Sequence, residues 1–538
     1  VKNLFLHIKR DTTKWSIALL TIVLFITIPV FTIFINLFYG PGETWSHLVN
    51  KLLPNYVSNS FILIVGTSFL TLLFGISSAW IVSRYKIPLR KTLEWLLILP
   101  LAIPSYITAY AYAGIFDYGG VVEKLFNLKI DMMNHFGLIF VLSISLYPYV
   151  YVASRAFFLN QSSNIIEASK LLGASEKKTF FKLILPLARP AFIGGLILVL
   201  MEVLNDYGAA KYYGINTFTT GIFRAWFSLE EPDTAIYLSA ILVLIIFVLI
   251  TLEKQQRKRI GYFNATKNHK RVQRESVTLS IRIIFFVTVF IPVLLGFLLP
   301  LFQLLYWAYL TFTEVFTSEF LSISLQSLLI ALSSAFVTVL FALSLLFFAK
   351  WNRLSIINML TKFSVLGYAI PGAVIAVGVL IPTLAIDKWV VTIFREYFNF
   401  KIGFILNGTI LALVYAYTVR YLAVAYNPIE ASTLKLGKSL SEASKLLRKG
   451  NIETFFKIEF PLLKSAILSA FILVFVDVMK ELPLTLILKP YHINTLAVKA
   501  YEYASDELIA EAALPSLFII FTGVIPVLFL NRLIAKEN

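Results

Sequence analysis

The 538-residue chain contains no cysteine, which excludes disulfides, thiolate metal sites and cysteine nucleophiles. Its five histidines, His7, His47, His135, His269 and His492, are widely separated and show no ligand spacing, so no preformed soft-metal site is expected. Charge is scarce, at 14% of residues, and acidic charge most of all, with 30 Asp and Glu against 47 Lys and Arg. A phosphate-binding loop is missing as well. Gly437-Lys438-Ser439 has the ending of one, but the earlier glycine it requires would fall at Ser432, and no strand precedes it. With no nucleophile–base constellation either, the chain is expected to bind no cofactor and to catalyse nothing by itself.

What the sequence has instead is length in its apolar runs. Hydrophobic residues make up 58% of it and the mean hydropathy is +0.81, outside the range of soluble domains. A span needs ~20 apolar residues to cross the hydrocarbon core. About twelve such runs begin near Trp15, Phe61, Leu93, Leu138, Phe192, Ile236, Ile283, Leu328, Phe363, Ile410, Ile467 and Leu517, so the chain reads as an all-α integral membrane protein. The first run is too long for a signal peptide's apolar region and is expected to be a retained helix. Basic residues mark one side: Lys9, Arg10 and Lys14 before the first span, Arg84 to Lys91 after the second, Lys177 and Lys178 after the fourth, and Arg532 and Lys536 after the last. By the positive-inside rule both termini are expected in the cytoplasm. The formal charge of +17 is then a topology signal. Because the basic residues are scattered over loops, nucleic acid is not an expected partner.

The sequence also repeats itself. EASKLLGASEKKTFFKLILP runs from Glu167 to Pro186, and EASKLLRKGNIETFFKIEFP from Glu442 to Pro461. FLTLLFGIS (Phe69 to Ser77) matches FVTVLFALS (Phe336 to Ser344), and Ala102-Ile103-Pro104 matches Ala369-Ile370-Pro371 at the same spacing. Two homologous six-helix halves follow, residues 1–252 and 279–538, related by a pseudo-two-fold axis along the membrane normal with a pathway between them. Residues 253–278, rich in Lys and Arg, read as a cytoplasmic linker that could also touch anionic membrane lipid.

Each copy of the long motif is too polar to span but contains helix formers. Leu171 and Leu172, like Leu446 and Leu447, could pack on one side while the lysines face water. Pro186 and Pro461 are expected to break or restart the helix where the next span begins. A single copy fits an interfacial helix equally well; two copies at equivalent places favour two docking points for a soluble partner.

The two segments resemble the coupling loop of ABC importer permeases that depend on an extracytoplasmic binding protein, a type I permease fold. Glu167, Ala168, Ser169, Gly173, Leu185 and Pro186 carry the match in the first copy, and Glu442, Ala443, Ser444 and Pro461 in the second. There Arg448 replaces the glycine and Phe460 the leucine, which suggests unequal docking. The resemblance covers about 59–252 and 326–533. It implies that two copies of an ABC ATPase subunit, which uses the ATP, seat one coupling helix each, that a periplasmic binding protein delivers the substrate, and that the chain sits in a bacterial inner membrane.

Four carboxylates fall inside apolar spans. Glu202 and Asp206 coincide with Asp477 and Glu481 under the repeat, and each pair is spaced i, i+4, on one face of a helix. Such groups are costly in a membrane and commonly line an aqueous path. Facing one another across the axis they would make an acidic translocation pathway, partly offset by Lys480. Equally, Lys480 could pair with a neighbouring carboxylate while Asp206 or Glu481 lies at the interface. The stretch from Lys480 to Leu517 resembles fused ferric-iron permeases through Lys480, Glu481, Leu482, Pro483, Lys489, Pro490, Thr495, Leu496 and Ala497, which implies ferric iron as cargo. Thiamine, a phosphonate, a polyamine or an inorganic anion are the rival cargoes. An ion-coupled secondary transporter is the rival mechanism, and it has no need of two docking helices.

Overall fold

Inside hydrocarbon a chain must satisfy its own N–H and C=O groups, and this one does so with helices. The computed structural model describes residues 14–160, 169, 171–263, 274–352, 354–436, 444, 446 and 450–537. Glu167, Ala168, Glu442, Ala443 and Arg448 lie outside the described residues, as do residues 264–273 of the linker. In chain order the main helices are α1 (Lys14–Asn36), α2 (Leu53–Arg84), α3 (Arg90–Leu96), α4 (Ser105–Phe116), α5 (His135–Asn160), α6 (Leu185–Asn205) and α7 (Pro232–Phe263), followed by α8 (Leu279–Val293), α9 (Leu299–Val315), α10 (Ser318–Trp351), α11 (Ser355–Ser364), α12 (Gly372–Tyr397), α13 (Ile410–Leu436), α14 (Lys464–Met479) and α15 (Ala513–Glu537).

Among the described residues, nine helices are long and apolar enough to cross a membrane, or up to eleven if each of two bent pairs counts as one span. The protein is therefore an all-α multi-pass membrane protein. The apolar run near Leu93 is not one straight helix: it bends by 94° between Ala102 and Ser105. The run placed near Phe363 starts as a span only at Gly372, because α11 is a separate ten-residue helix.

Both breaks have the same cause, Ala-Ile-Pro. Ile103 and Ile370 are extended, with ψ of 115° and 132°, because a residue preceding proline is driven out of the helical region. Pro104 and Pro371 then precede the first residues of α4 and α12. The repeated tripeptide thus sets two helix N-termini at equivalent places in the repeat.

The halves are not packed as two separate six-helix units. α1 lies against α10, α11 and α12 of the second half, and α8 lies against α2 of the first. Two glycines permit the close approaches. A Cβ on Gly378 would fall 2.4 Å from the Pro29 carbonyl of α1, and one on Gly296, between α8 and α9, 2.5 Å from the Ile144 carbonyl of α5. Small residues let membrane helices approach backbone to backbone. Hydrogen bonds fasten the same exchange: Tyr415 to the Phe25 carbonyl (2.5 Å), Ser16 to Asn352 (2.7 Å) and Tyr112 to the Leu295 carbonyl (2.7 Å). At the end of the linker, Glu275 is anchored on the first half by an ion pair with Arg84 at 2.5 Å and by backbone hydrogen bonds with Arg84 and Lys86.

Two further acids hold loops. Glu231 accepts from the Thr44 and Thr234 hydroxyls, at 2.5 and 2.7 Å, and these bonds hold its carboxyl below the usual range. Asp387, buried on α12, accepts from the backbone N–H groups of Ile405, Leu406 and Asn407 at 3.0, 3.0 and 2.8 Å. Asp387→Ala strands these donors and is expected to cost about 2–3 kcal/mol. Faster proteolysis in the 398–409 loop of the solubilised protein would register it, and an unchanged cleavage rate would refute the loop-holding role.

Candidate functional site

The N-termini of α4 and α12 face the ends of α6 and α14. In both places a helix of one half of the repeat gives out next to a carboxylate. α6 ends at Asn205, and Asp206 is extended, with ψ of 124°. α14 ends at Met479, leaving Lys480 as its cap and Glu481 beyond it. The expected i, i+4 helix faces are therefore absent, because the helix unwinds between the members of each pair. The physical reason is capping. Asp206 accepts from the Ala210 N–H at 3.0 Å and Glu481 from the Leu484 N–H at 3.1 Å, so each carboxylate serves the next short helix instead of continuing the last one.

Even so, all four carboxylates line one cavity of about 130 Å³ between the two halves. Asp206 accepts from the Ser105 hydroxyl at 2.5 Å, at the start of α4. Glu481 is 6% exposed and meets the Tyr421 hydroxyl at 2.6 Å and the Arg420 guanidinium at 3.4 Å. Asp477 pairs with Lys480 at 2.8 Å. Glu202 has a single long bond, from the Tyr149 hydroxyl at 3.4 Å. The Gly372 N–H, at the start of α12, donates to Asn205 across the halves at 3.1 Å. Helix N-termini carry partial positive charge, which favours carboxylates beside them.

The cavity is consequently less acidic than four bare carboxylates would make it. Glu481 lies in the interior rather than at an interface, and it is Arg420 of α13, not Lys480, that answers it. Arg420 is not among the candidate residues above, although an arginine inside the apolar stretch from Ile410 to Tyr426 is itself a signal. In the repeat Arg420 stands where the first half has Ser145, both 22 residues before the motif glutamate. Among the described residues no group of three or more His, Asp or Glu is arranged to hold a metal ion.

The two duplicated segments have a common local build. Ser169 is hydrogen-bonded to Thr179, and Ser444 to Thr454 at 2.7 Å, with all four residues buried. Gly173 has φ of +72° and the Ala174 N–H returns to the Ser169 carbonyl at 3.1 Å, a helix ending that favours glycine. Leu171 and Leu446 are covered by nothing in the described residues, and Leu447 lies outside them. The first two are 89% and 86% exposed, and Leu172 is equally bare. Nor does Pro186 interrupt its helix: Glu176–Asn205 is one helical run with Pro186 beside Leu185 in the first turn of α6, whereas the second copy bends by 74° between Leu462 and Lys464, just after Pro461. Lys350 at the end of α10 pairs with the buried Glu459 of the second copy.

Comparison with known proteins accords with this architecture. The profile of the family described as binding-protein-dependent transport system inner membrane component matches residues 71–253 and again 358–537. A Fe(3+)-transport system permease protein of Haemophilus influenzae is 26% identical over 497 residues, 90% of this chain and 91% of the relative. A ferric transport system permease protein of Actinobacillus pleuropneumoniae is 23% identical over 503 residues, 86% and 70% of the two chains. A sulfate transport system permease protein of Salmonella typhimurium is 27% identical over 199 residues, 35% of this chain and 72% of the relative.

Proposed function

This chain belongs to the binding-protein-dependent transport system inner membrane component family, and from that premise we propose that it is the fused permease of an ATP-driven importer of ferric iron. The observation that carries the cargo is coverage. The relatives named for ferric iron align along both halves, while the sulfate permease aligns with about a third of the chain.

In this reading the duplicated segments face the cytoplasm, as the basic residues around them favour, and each docks on one copy of a separate ATPase subunit. Glu167 and Glu442 open the two docking segments in the sequence. A binding protein on the outer side hands over the iron. ATP-driven closure of the ATPase pair pushes both helices, and the halves rock about the cavity that holds Glu202, Asp206, Asp477, Lys480 and Glu481. Glu202, whose contact is a 3.4 Å bond from a neutral hydroxyl while Asp477 is held by Lys480 at 2.8 Å, is the one best able to meet a passing cation. The chain itself performs no covalent chemistry.

The serine–threonine pairs give this coupling a mechanical element. Each joins the start of a docking segment to the helix that leads into the cavity wall. Losing both through Ser169→Ala with Ser444→Ala removes about 1 kcal/mol at each site. Transport per ATP hydrolysed should fall, and by more than the modest loss of stability of the isolated chain accounts for, when transport is normalised to folded protein. An unchanged ratio would leave the pairs a packing role only.

Reconstitution tests the cargo. With the ATPase and the binding protein in proteoliposomes, ferric-loaded binding protein is expected to raise ATP hydrolysis several-fold over the apo form, with uptake of radioactive iron. Stimulation by a sulfate-loaded binding protein but not by a ferric one would overturn the iron assignment and keep the importer.

A further inference from the structure

The cavity between the halves contains more than carboxylates. Arg420 is 6% exposed, and among the described residues its Nε and Nη1 have no hydrogen-bond partner. The Ser145 and Tyr106 hydroxyls are buried and unpartnered in the same way, and both residues line the same cavity. Buried polar groups are ordinarily satisfied, and each one left over calls for an explanation. All four of these atoms can donate. The carboxylates, by contrast, are largely occupied: Asp477 by Lys480, Asp206 by Ser105 and the Ala210 N–H, and Glu481 by Tyr421, Arg420 and the Leu484 N–H. Beside these carboxylates the wall therefore presents a set of donors with nothing to donate to.

We propose that this cavity binds a small oxyanion through Arg420, with Ser145 and Tyr106 of the other half as further donors. A guanidinium offers a planar fork of N–H groups that fits two oxygens of one anion. Gly372 makes room for it, since a Cβ there would fall 2.1 Å from Arg420 Nη1 and 2.5 Å from Glu481 Oε1. The pair Arg420–Glu481 spends only one arm of the fork, at 3.4 Å through Nη2. Arg420 comes from the second half and Ser145 and Tyr106 from the first, so the donors converge only when the halves are closed around the cavity. An anion held there is bound in one state of the transport cycle and released when the halves part.

The inference rests on the importer reading and deepens it. The oxyanion has two possible sources: it is itself the cargo, or it travels as the companion of a ferric ion whose positive charge Glu202 would meet.

The test uses the full chain purified with its ATPase. In one arm sodium sulfate or inorganic phosphate is titrated alone, with chloride at matched ionic strength as control. In the other, ferric citrate is titrated. Saturable binding is expected, weakened about tenfold or more by Arg420→Gln, as befits loss of a charge-assisted bond. Should Arg420→Gln fail to fold, Ser145→Ala and Tyr106→Phe each remove one neutral donor and are expected to weaken binding several-fold with unchanged melting. Binding of sulfate or phosphate alone identifies the free oxyanion; binding of ferric citrate only identifies the companion. The proposal is overturned if chloride reproduces the signal, if neither arm shows binding, or if folded Arg420→Gln, Ser145→Ala and Tyr106→Phe bind as the parent does. Retention of the ATPase by the same preparations reads the importer assignment separately, so one can fail without the other.

Discussion

Glu481→Leu is expected to be the most damaging single substitution in the interior, lowering stability by about 3–5 kcal/mol. Arg420 would keep its charge in a buried place with its carboxylate gone, and the Tyr421 hydroxyl and the Leu484 N–H would lose their acceptor at the same time. The double change Glu481→Leu with Arg420→Met removes both charges. It should recover most of the loss, because a buried pair replaced by apolar groups of similar volume is commonly close to neutral. Denaturant or thermal unfolding of the detergent-solubilised protein measures both. A single variant as stable as the parent, or a double variant no better than the single, would mean that the pair at 3.4 Å is not what holds the charge of Arg420.

The second large effect concerns assembly and leaves the chain itself untouched. Leu171 and Leu446 stand at the same place in the two docking segments, 89% and 86% exposed. Burying a leucine fully is worth about 1.5–3 kcal/mol, so a partner that covers both gains substantially from them. Leu171→Asp with Leu446→Asp is expected to weaken capture of the ATPase by about a hundredfold or more, since each 1.4 kcal/mol is a factor of ten. Melting of the isolated chain should not change, because neither side chain packs on it. Co-purification and titration of the ATPase against each single and the double variant measure this. Full binding by the double variant would remove the segments from the docking surface.

These two cases also mark how far the sequence could be read. The leucines stand out in the sequence as the apolar side of a duplicated motif, and the structure adds that nothing in the described residues covers Leu171, Leu172 and Leu446. Amphipathic periodicity tells which face is apolar, not what covers it. The carboxylates were visible because ionisable residues stand out in apolar runs. Their i, i+4 spacing misled, since it assumes a continuous helix, and capping of the next short helix by Asp206 and Glu481 ended each helix between the two. Arg420 is as legible as the acids, being an ionisable residue in an apolar run, but its sequence position does not show that Glu481 is its partner. The two Ala-Ile-Pro tripeptides are legible as a repeat, and proline's effect on the preceding residue explains why both are helix breaks.

By itself, the sequence determined the all-helical membrane class, the duplication, and the two places where polar segments interrupt it. Each is a matter of local composition and of periods short enough to count along the chain. Only the tertiary structure decided which half each leading helix packs against, that α1 crosses to the second half and α8 to the first, and that Arg420, Ser145 and the carboxylates share one cavity. Those are contacts between residues hundreds of positions apart, made by close helix packing at glycines such as Gly378 and Gly296, and no hydrophobic pattern records which helix will be the neighbour.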